Sequence, residues 1–163
     1  DLPRQRSQDT EAERFARLRA LPFLADFHDV SLWELMRLGQ WRRLPQGTTL
    51  MRENTPGDSF CILIEGQVAV SRQGWHLSTL GPGVTLGEMT YLRPDDRVRT
   101  ATAVAETEVL LLKVRNPALR QASEDLQSRF DKAFIKLLVG RLIATNQQLA
   151  EWELVAAPPT PEQ

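Results

Sequence analysis

Turn-forming residues divide residues 41–114 into short strand-like segments, and this pattern constrains the fold more than any other feature of the chain. The segments are four to seven residues long and mostly apolar or β-branched, whereas Gly, Pro and Asp lie between them. Many short strands at regular spacing favour a closed β-roll or barrel. The predicted strands are Trp41–Leu44, Thr48–Arg52, Phe60–Glu65, Gln67–Arg72, Leu77–Leu80, Arg99–Ala105 and Val109–Val114.

Helices are predicted on the N-terminal side of these strands. Residues 1–20 are interpreted as a polar linker followed by a helix that Thr10 begins. A second helix starts with Asp29 or Ser31 as its cap and ends at Gly39. The region before the strands is therefore expected to be helical.

The last third of the chain is also predicted to be helical. Asn116 and Pro117 have the pattern of a helix start, with proline at the first position. Residues 126–152 then carry apolar side chains at three- and four-residue steps, which indicates one long amphipathic helix. Residues 155–163 contain three prolines and are expected to form a disordered tail. The side chains of the stripe are Phe130, Phe134, Leu137, Leu138, Leu142, Thr145, Leu149 and Trp152.

Length and composition exclude several classes of protein. A chain of 163 residues with a formal net charge of −1 fits one globular domain and lacks the basic excess of a nucleic-acid-binding protein. No apolar run approaches the roughly 20 residues of a membrane span, and no signal peptide is visible. The single Cys61 allows no disulfide framework, so a cytoplasmic location is expected. The chain begins with Asp1 rather than Met, as an excised piece of a longer protein would.

Residues 81–104 combine the residue types that bind a small anion. Three glycines, the last of them Gly87, let the backbone approach a ligand closely and point N–H groups towards it. Glu88 follows, and its carboxylate can accept a hydrogen bond from a sugar hydroxyl. Arg99 supplies a guanidinium for a phosphate, and Thr100 supplies a neighbouring hydroxyl.

This arrangement resembles the phosphate-binding cassette of cyclic nucleotide-binding domains. The resemblance rests on Gly87-Glu88-Met89 followed by Arg99-Thr100-Ala101-Thr102. It implies that the Gly87 N–H and Arg99 bind the cyclic phosphate, that Thr100 assists, and that Glu88 holds the ribose 2′-hydroxyl. The implied ligand is cyclic AMP or cyclic GMP, with no metal and no other cofactor. Thr100 leaves the choice of nucleotide open, because threonine is also frequent there in cyclic GMP-binding members.

The loop before Arg99 departs from the family pattern. It is a residue or two longer than usual and carries Asp95 and Asp96, which would repel a phosphate if they faced the pocket. Arg97 is a rival for the phosphate, but the following Val98 offers no hydroxyl, so Arg99 is preferred. The alternative is a solvated turn in which Arg97 and Arg99 pair with the two aspartates.

The resemblance extends over residues 21–154 and implies the architecture. A Leu-Pro-Phe-Leu entry segment, a Gly57-Asp58 turn and a strand that ends in Glu65-Gly66 all match the family. The implied fold is mainly β with flanking helices: a double-stranded β-helix of the jelly-roll or cupin-like type over residues 41–114. N-terminal helices precede this β-roll, and C-terminal helices with one long member follow it at residues 117–154.

In the catabolite activator branch of this family, the long helix covers the ligand and pairs with its twin in a dimer. There a Thr-Ser step that follows an Arg-Leu step contacts the adenine. Arg141-Leu142 followed by Thr145-Asn146 matches that register, so Thr145 and Asn146 are predicted to contact the base, with Arg141 as a further candidate. The alternative is that the two polar residues face solvent. The 126–152 helix is also predicted to mediate a homodimer.

Three functions compete at this stage. The leading one is a non-enzymatic sensor module that transmits a helix movement to an effector domain outside this chain. No helix-turn-helix follows the long helix, so direct DNA binding is not expected. The second is a dimerisation module without ligand. The third is a cupin-type metalloenzyme, which the two distant histidines, His28 and His76, disfavour because a metal site normally needs several such ligands.

Overall fold

The computed structural model describes residues 10–156, and side chains up to residue 151. Eight strands form two four-stranded antiparallel sheets, with strand orders β1-β8-β3-β6 and β2-β7-β4-β5. The two sheets and their flanking helices confirm the predicted β-roll. The strands are β1 Gln40–Leu44, β2 Thr49–Met51, β3 Ser59–Glu65, β4 Val68–Arg72, β5 Trp75–Leu80, β6 Thr85–Leu86, β7 Thr102–Ala105 and β8 Val109–Arg115.

All seven predicted strands are present, with two differences from the sequence expectation. The two-residue β6 was missed because it is too short to show alternation. Strand β7 begins at Thr102 and not at Arg99. The backbone of Arg99 instead pairs with a neighbouring loop: its N–H donates to the Thr55 carbonyl over 2.8 Å, and its carbonyl accepts from Asn54 N over 2.9 Å. Arg99 is therefore held by a loop rather than by a strand ladder.

Five α-helices and one 3-10 turn flank the sheets. Thr10 caps the first helix in a capping box, because its hydroxyl accepts from Glu13 N while the Glu13 carboxylate accepts from Thr10 N. The helices are α1 Glu11–Arg19, α2 Asp29–Leu38, α3 Met89–Leu92, α4 Asn116–Arg120 and α5 Glu124–Ala156, and the 3-10 turn is Pro22–Leu24.

Helix ends differ from the predictions at two places. His28, and not Asp29 or Ser31, occupies the N-cap position of α2, and its side chain makes no capping hydrogen bond. Ser31 lies inside the helix, where its hydroxyl donates to Asp125 at the start of α5. Helix α5 continues to Ala156, two residues into the predicted tail. The linker before Thr10, the tail after Ala156 and the side chain of Trp152 lie outside the described part of the chain.

The core has two parts. One fills the space between the two sheets and includes Leu63, Val68 and Leu111. The other packs the first sheet against α1, α2 and α5, and leucine side chains and phenylalanine rings fill it. Phe60 of β3 contacts Phe130 and Phe134 edge to face, with ring centroids 5.5 and 5.3 Å apart. This contact fixes the first three turns of α5 on the β-roll.

Two further properties of the chain follow from the helices. Within residues 10–156, no helix is both long enough and apolar enough to cross a membrane. In α5 the inward apolar contacts end soon after Phe134, and every residue from Val139 to Glu151 is exposed. The long helix therefore packs against the β-roll along one face of its first half, whereas its described residues from Val139 onwards are exposed.

Candidate functional site

A cavity of about 260 Å³ opens between the second sheet, α3 and the middle of α5. The sequence singles out nine candidate binding residues, and the structure brings six of them to this cavity. The other three, Arg97, Thr145 and Asn146, do not line it. The six lining residues are Gly87, Glu88, Met89, Arg99, Thr100 and Arg141.

Gly87 connects β6 to α3 with a φ of +83°, which L-residues with a side chain rarely adopt. A Cβ atom there would lie 2.3 Å from Arg99 Nη1 and 2.8 Å from Met51 Sδ. Glycine is therefore required both for the backbone turn and for the approach of the guanidinium. The Gly87 carbonyl accepts from Arg99 Nη1 over 3.2 Å.

Arg99 places a cation at the wall of the cavity. Its guanidinium makes two side-chain hydrogen bonds in the described part of the chain, to the Gly87 carbonyl and, over 3.4 Å, to Ser59 Oγ. Both acceptors are neutral oxygens. Burial lowers the pKa of Arg99, and the fields of Cys61, Asp58 and Glu88 oppose that shift. A partly buried guanidinium without a bonded carboxylate is well suited to accept an anion.

Arg97 lies on the outer side of the same loop. Its side chain is exposed, and its carbonyl accepts from Gly57 N over 2.8 Å. Asp95 and Asp96 are also exposed, and Asp96 pairs with Arg93 over 3.0 Å. The alternative was a solvated turn in which Arg97 and Arg99 pair with Asp95 and Asp96. Among the described residues Asp96 pairs with Arg93, and the Arg99 side chain bonds to Gly87 and Ser59, so Arg99 does not take part in such a turn. The two aspartates do not line the cavity.

Glu88 is the buried carboxylate of the site. It begins α3, is 3% exposed, and accepts from Arg141 Nη1 over 2.7 Å. The Arg141 side chain is 46% exposed, so the pair joins a buried acid to the middle of α5. A carboxylate held in this way retains a second oxygen that can accept a hydrogen bond from a ligand.

The remaining candidates differ in position. Met89 is half-buried and Thr100 is exposed at the mouth of the cavity. Thr145 lies one turn beyond Arg141 on α5, and its hydroxyl donates to the Arg141 carbonyl over 2.9 Å. Thr145 and Asn146 are both exposed. The pair predicted to contact the base therefore lies on α5 but does not line the cavity.

A buried relay behind the site was not anticipated from the sequence. Asn116 is fully buried at the start of α4, and its Nδ2 donates to Thr90 Oγ1 over 3.1 Å. Thr90 Oγ1 in turn donates to the Gly87 carbonyl over 3.0 Å, beside the bond from Arg99. Oδ1 of Asn116 has no hydrogen-bond partner within the described part of the chain. An isolated asparagine before a proline gives no sequence signal beyond a helix start.

The titratable residues outside the cavity are not arranged as a metal or nucleophile site. Burial raises the pKa of the Cys61 thiol to about 11, and the nearby positive charge of Arg99 opposes this shift. His28 contacts Arg129, whereas His76 Nε2 lies 3.2 Å from Thr79 Oγ1 on β5. No group of three His, Cys, Asp or Glu side chains within residues 10–151 could hold a metal ion.

Comparison with known proteins gives a consistent result. Residues 41–125 match the family model for the cyclic nucleotide-binding domain. The CRP-like cAMP-activated global transcriptional regulator of Mycobacterium tuberculosis is 31% identical over 112 residues, covering 66% of this chain and 49% of that protein. Glutaminase 2 of Bradyrhizobium diazoefficiens is 26% identical over 144 residues, covering 86% of this chain and 23% of the enzyme.

A solved structure shares both sequence and fold with the chain. The N-terminal domain of a transcriptional regulator from Streptomyces coelicolor is 31% identical, with a TM-score of 0.61, over 80% of this chain and 95% of that domain. By contrast, the chain spans about half the length of the mycobacterial regulator and about a quarter of the glutaminase.

Proposed function

The chain belongs to the cyclic nucleotide-binding domain family, and from this premise we propose that it is a sensor module for cyclic AMP or cyclic GMP. The observation that carries the proposal is Arg99, a partly buried cation bonded only to neutral oxygens at the wall of a cavity. A cyclic phosphate diester carries one negative charge. It would complete the coordination of this guanidinium without displacing a carboxylate.

The proposed pose follows from the positions of the other lining residues. The phosphate takes hydrogen bonds from Arg99, from the Gly87 backbone N–H and from the Thr100 hydroxyl. The ribose 2′-hydroxyl donates to Glu88, whose buried carboxylate is already oriented by Arg141. The base then points towards α5, where Thr145 and Asn146 are the nearest polar pair beyond Arg141. These two residues reach the base only if α5 moves towards the β-roll or another copy contributes its own helix.

This arrangement gives nucleotide binding a route to the rest of the protein. Glu88 sits at the start of α3 and Arg141 in the middle of α5, so their ion pair connects the binding loop to the long helix. A ligand that shares Glu88 with Arg141 changes the preferred position of α5. Such a shift requires different contacts in the free and bound states, and the exposed half of the helix permits them.

We further propose that the second half of α5 mediates a homodimer. Ile135, Leu142 and Leu149 recur every seven residues and are each more than half exposed. Seven-residue spacing of apolar side chains is the pattern of a helix that packs against a parallel or antiparallel partner helix. The cytoplasmic location, the effector domain outside this chain, the absence of catalysis and the absence of direct DNA binding all belong to this proposal.

Isothermal titration calorimetry of the whole chain with cyclic AMP and with cyclic GMP tests the ligand. Saturable heat with one or both nucleotides, and none with 5′-AMP at the same concentration, is the expected result. The 5′-monoester carries a second negative charge and an open ribose 3′-hydroxyl, so it is a matched control for the cyclic diester. No heat with either cyclic nucleotide at millimolar concentration would refute the sensor.

One observation favours a second function, a dimerisation module without ligand. The exposed apolar side chains of α5 would serve an interface whether or not the cavity is filled. Sedimentation equilibrium separates the two functions. A dimer with the same association constant in the presence and absence of both nucleotides, together with silent calorimetry, would support the second function over the first.

A further inference from the structure

A second cavity lies on the opposite side of α5 from Ile135, Leu142 and Leu149, the side chains proposed for the dimer, and it is larger than the nucleotide cavity. Its volume is about 660 Å³, compared with about 260 Å³. Three segments form its walls: residues 22–27 around the 3-10 turn, Gly83 in the loop before β6, and residues 129–137 of α5. Cavities of roughly 300–1,000 Å³ are the usual size of small-molecule sites.

The floor of this cavity is apolar. Phe23 is half-buried and Phe27 is buried, and the rings pack with centroids 6.4 Å apart. Leu137 and Ala133 of α5 close the other side, and both are half-buried. Apolar surface of this kind favours a hydrocarbon or aromatic body over a sugar or a free ion.

The rim is positively charged. Arg129, Lys132 and Lys136 lie at three- and four-residue steps on one face of α5, and all three line the cavity. Asp26 is the carboxylate among the lining residues, and it meets Lys136 at 3.8 Å with both side chains more than 80% exposed. Such an exposed pair is strongly screened by water, so it leaves the rim cationic.

Asp125 is a further acid near the rim and offsets part of its positive charge. It lies 3.8 Å from Arg129 Nε. The hydrogen bond from Ser31, and then the charges of Arg129, His28 and Lys132, lower the pKa of Asp125. Arg129 additionally contacts His28. Lys132 and Lys136 are therefore the cations best placed to meet an incoming anion.

We propose that this cavity binds an amphipathic anion: a carboxylate or phosphate headgroup on an aliphatic or aromatic body. The body lies on Phe23, Phe27 and Leu137, and the headgroup pairs with Lys132 and Lys136. This site is separate from the nucleotide cavity and goes beyond the proposed function. A cyclic nucleotide does not fit the same chemistry, because its ribose and base would place polar groups on the apolar floor.

The two cavities share α5, so their occupants are coupled. Leu137 lines the second cavity, and Arg141, one turn further on the same helical face, pairs with Glu88 in the first. Phe134 also stands between them, with centroids 5.4 Å from Phe23 and 6.0 Å from Tyr91 of α3. An amphipathic anion that shifts α5 therefore changes cyclic nucleotide affinity, and the nucleotide changes anion affinity by the same factor.

Decanoate below its micelle concentration is the probe, and decanol, decyl phosphate and decyltrimethylammonium are the matched ligands. Titrations of the ¹⁵N-labelled full chain are followed by NMR. We expect saturable shifts centred on the Gly83 and Phe27 amides with decanoate, at least tenfold weaker binding of decanol, and none of the cation. Decyl phosphate separates the headgroups, since tighter binding than decanoate identifies a phosphate site. Equal binding of decanol, or shifts centred on Gly87, overturns the proposal.

Variants locate the site independently. The double charge reversal Lys132→Glu/Lys136→Glu changes exposed side chains, so the fold is retained, and it should weaken decanoate at least tenfold. Arg72→Glu, at the exposed end of β4, is the control and should leave decanoate binding unchanged. Arg99→Leu should abolish nucleotide binding but not decanoate binding, which distinguishes failure of this site from failure of the sensor. Unchanged decanoate affinity in the double variant refutes the site.

Discussion

The two sides of the nucleotide cavity are built very differently. On the β-roll side, the Gly87 carbonyl accepts hydrogen bonds from Arg99 and from the buried Thr90, and Glu88 is itself buried. On the helix side, Arg141 makes one ion pair into the cavity, and all residues after it up to Glu151 are exposed. The first side is fixed by these contacts, whereas the second is largely exposed.

This difference separates two contributions to the proposed binding. A preorganised phosphate site loses little conformational entropy on binding, so it determines whether the ligand binds at all. An unfinished helix side must be ordered by the ligand or by another copy. It therefore determines what binding does to the protein. Variants can test whether the β-roll side determines nucleotide affinity and the helix side determines the response of the protein to binding.

The largest expected effect comes from the preformed side. Arg99→Leu should weaken cyclic nucleotide binding by about 30-fold to several thousand-fold, since loss of the charged partner of a buried phosphate costs roughly 2–5 kcal/mol. Arg97→Leu removes the same charge from an exposed position and is the matched control. Calorimetry on both variants decides. A greater loss of affinity with Arg97→Leu would show that Arg97, and not Arg99, binds the phosphate.

The link between the two sides should have the next largest effect. Arg141→Gln removes the cation that is hydrogen-bonded to the buried Glu88 carboxylate, and we expect the free energy of unfolding to fall by about 1–2 kcal/mol. Urea denaturation of Arg141→Gln, Glu88→Gln and the double variant forms a cycle. If the double variant shows only the sum of the single effects, the ion pair does not join the two sides.

The relay behind the preformed side should matter less. Thr90→Val keeps the shape but removes the hydroxyl between Asn116 and the Gly87 carbonyl, so nucleotide affinity should fall by about 1 kcal/mol, or roughly fivefold. Thr90→Ser retains the hydroxyl and is the control. The relay acts through the Gly87 carbonyl, which accepts from both Thr90 and Arg99. The effect of Thr90→Val on affinity should therefore disappear in the Arg99→Leu background. A full effect in that background would indicate a general loss of stability.

The smallest effect on folding is expected at the free end of the helix. Leu149→Glu should change the free energy of unfolding at low concentration by less than about 0.5 kcal/mol, since the side chain is exposed. The same change should abolish self-association in sedimentation equilibrium. Gln147→Glu adds an equal charge on the other face of α5 and should leave the dimer intact. Dimers that persist in Leu149→Glu would place the interface elsewhere.

Local patterns account for most of what the sequence predicts correctly. Alternation and turn residues define the strands. Arg99 is followed by Thr100, which has a hydroxyl, whereas Arg97 is followed by Val98, which has none. This difference distinguishes the arginine that lines the cavity from the exposed one. Contacts between distant segments are a different matter. The Arg141–Glu88 pair joins residues 53 positions apart, and Asn116 meets Thr90 across 26. No periodicity encodes such contacts, because they depend on how helices pack on the sheets.

The predicted base contacts show the same division. The match to the family pattern placed Thr145 and Asn146 one helical turn beyond Arg141, and α5 is continuous through these residues. Whether the turn lies over the cavity depends on the angle of α5, which the aromatic contacts of its first half set. The sequence of the second half contains no information about that angle. The assignment of Thr145 and Asn146 to the base thus stays a prediction.

Cys61 is a natural probe of the charge on Arg99 at the wall of the nucleotide cavity. It is the single cysteine of the chain, and with a pKa of about 11 only about one molecule in a thousand carries the thiolate at pH 8. The positive charge of Arg99 keeps that fraction from being smaller still. Neutralising Arg99 with a bound phosphate would raise the thiol pKa further. The rate of alkylation by iodoacetamide would therefore measure the charge state of the pocket in the unmodified protein, without any engineered label.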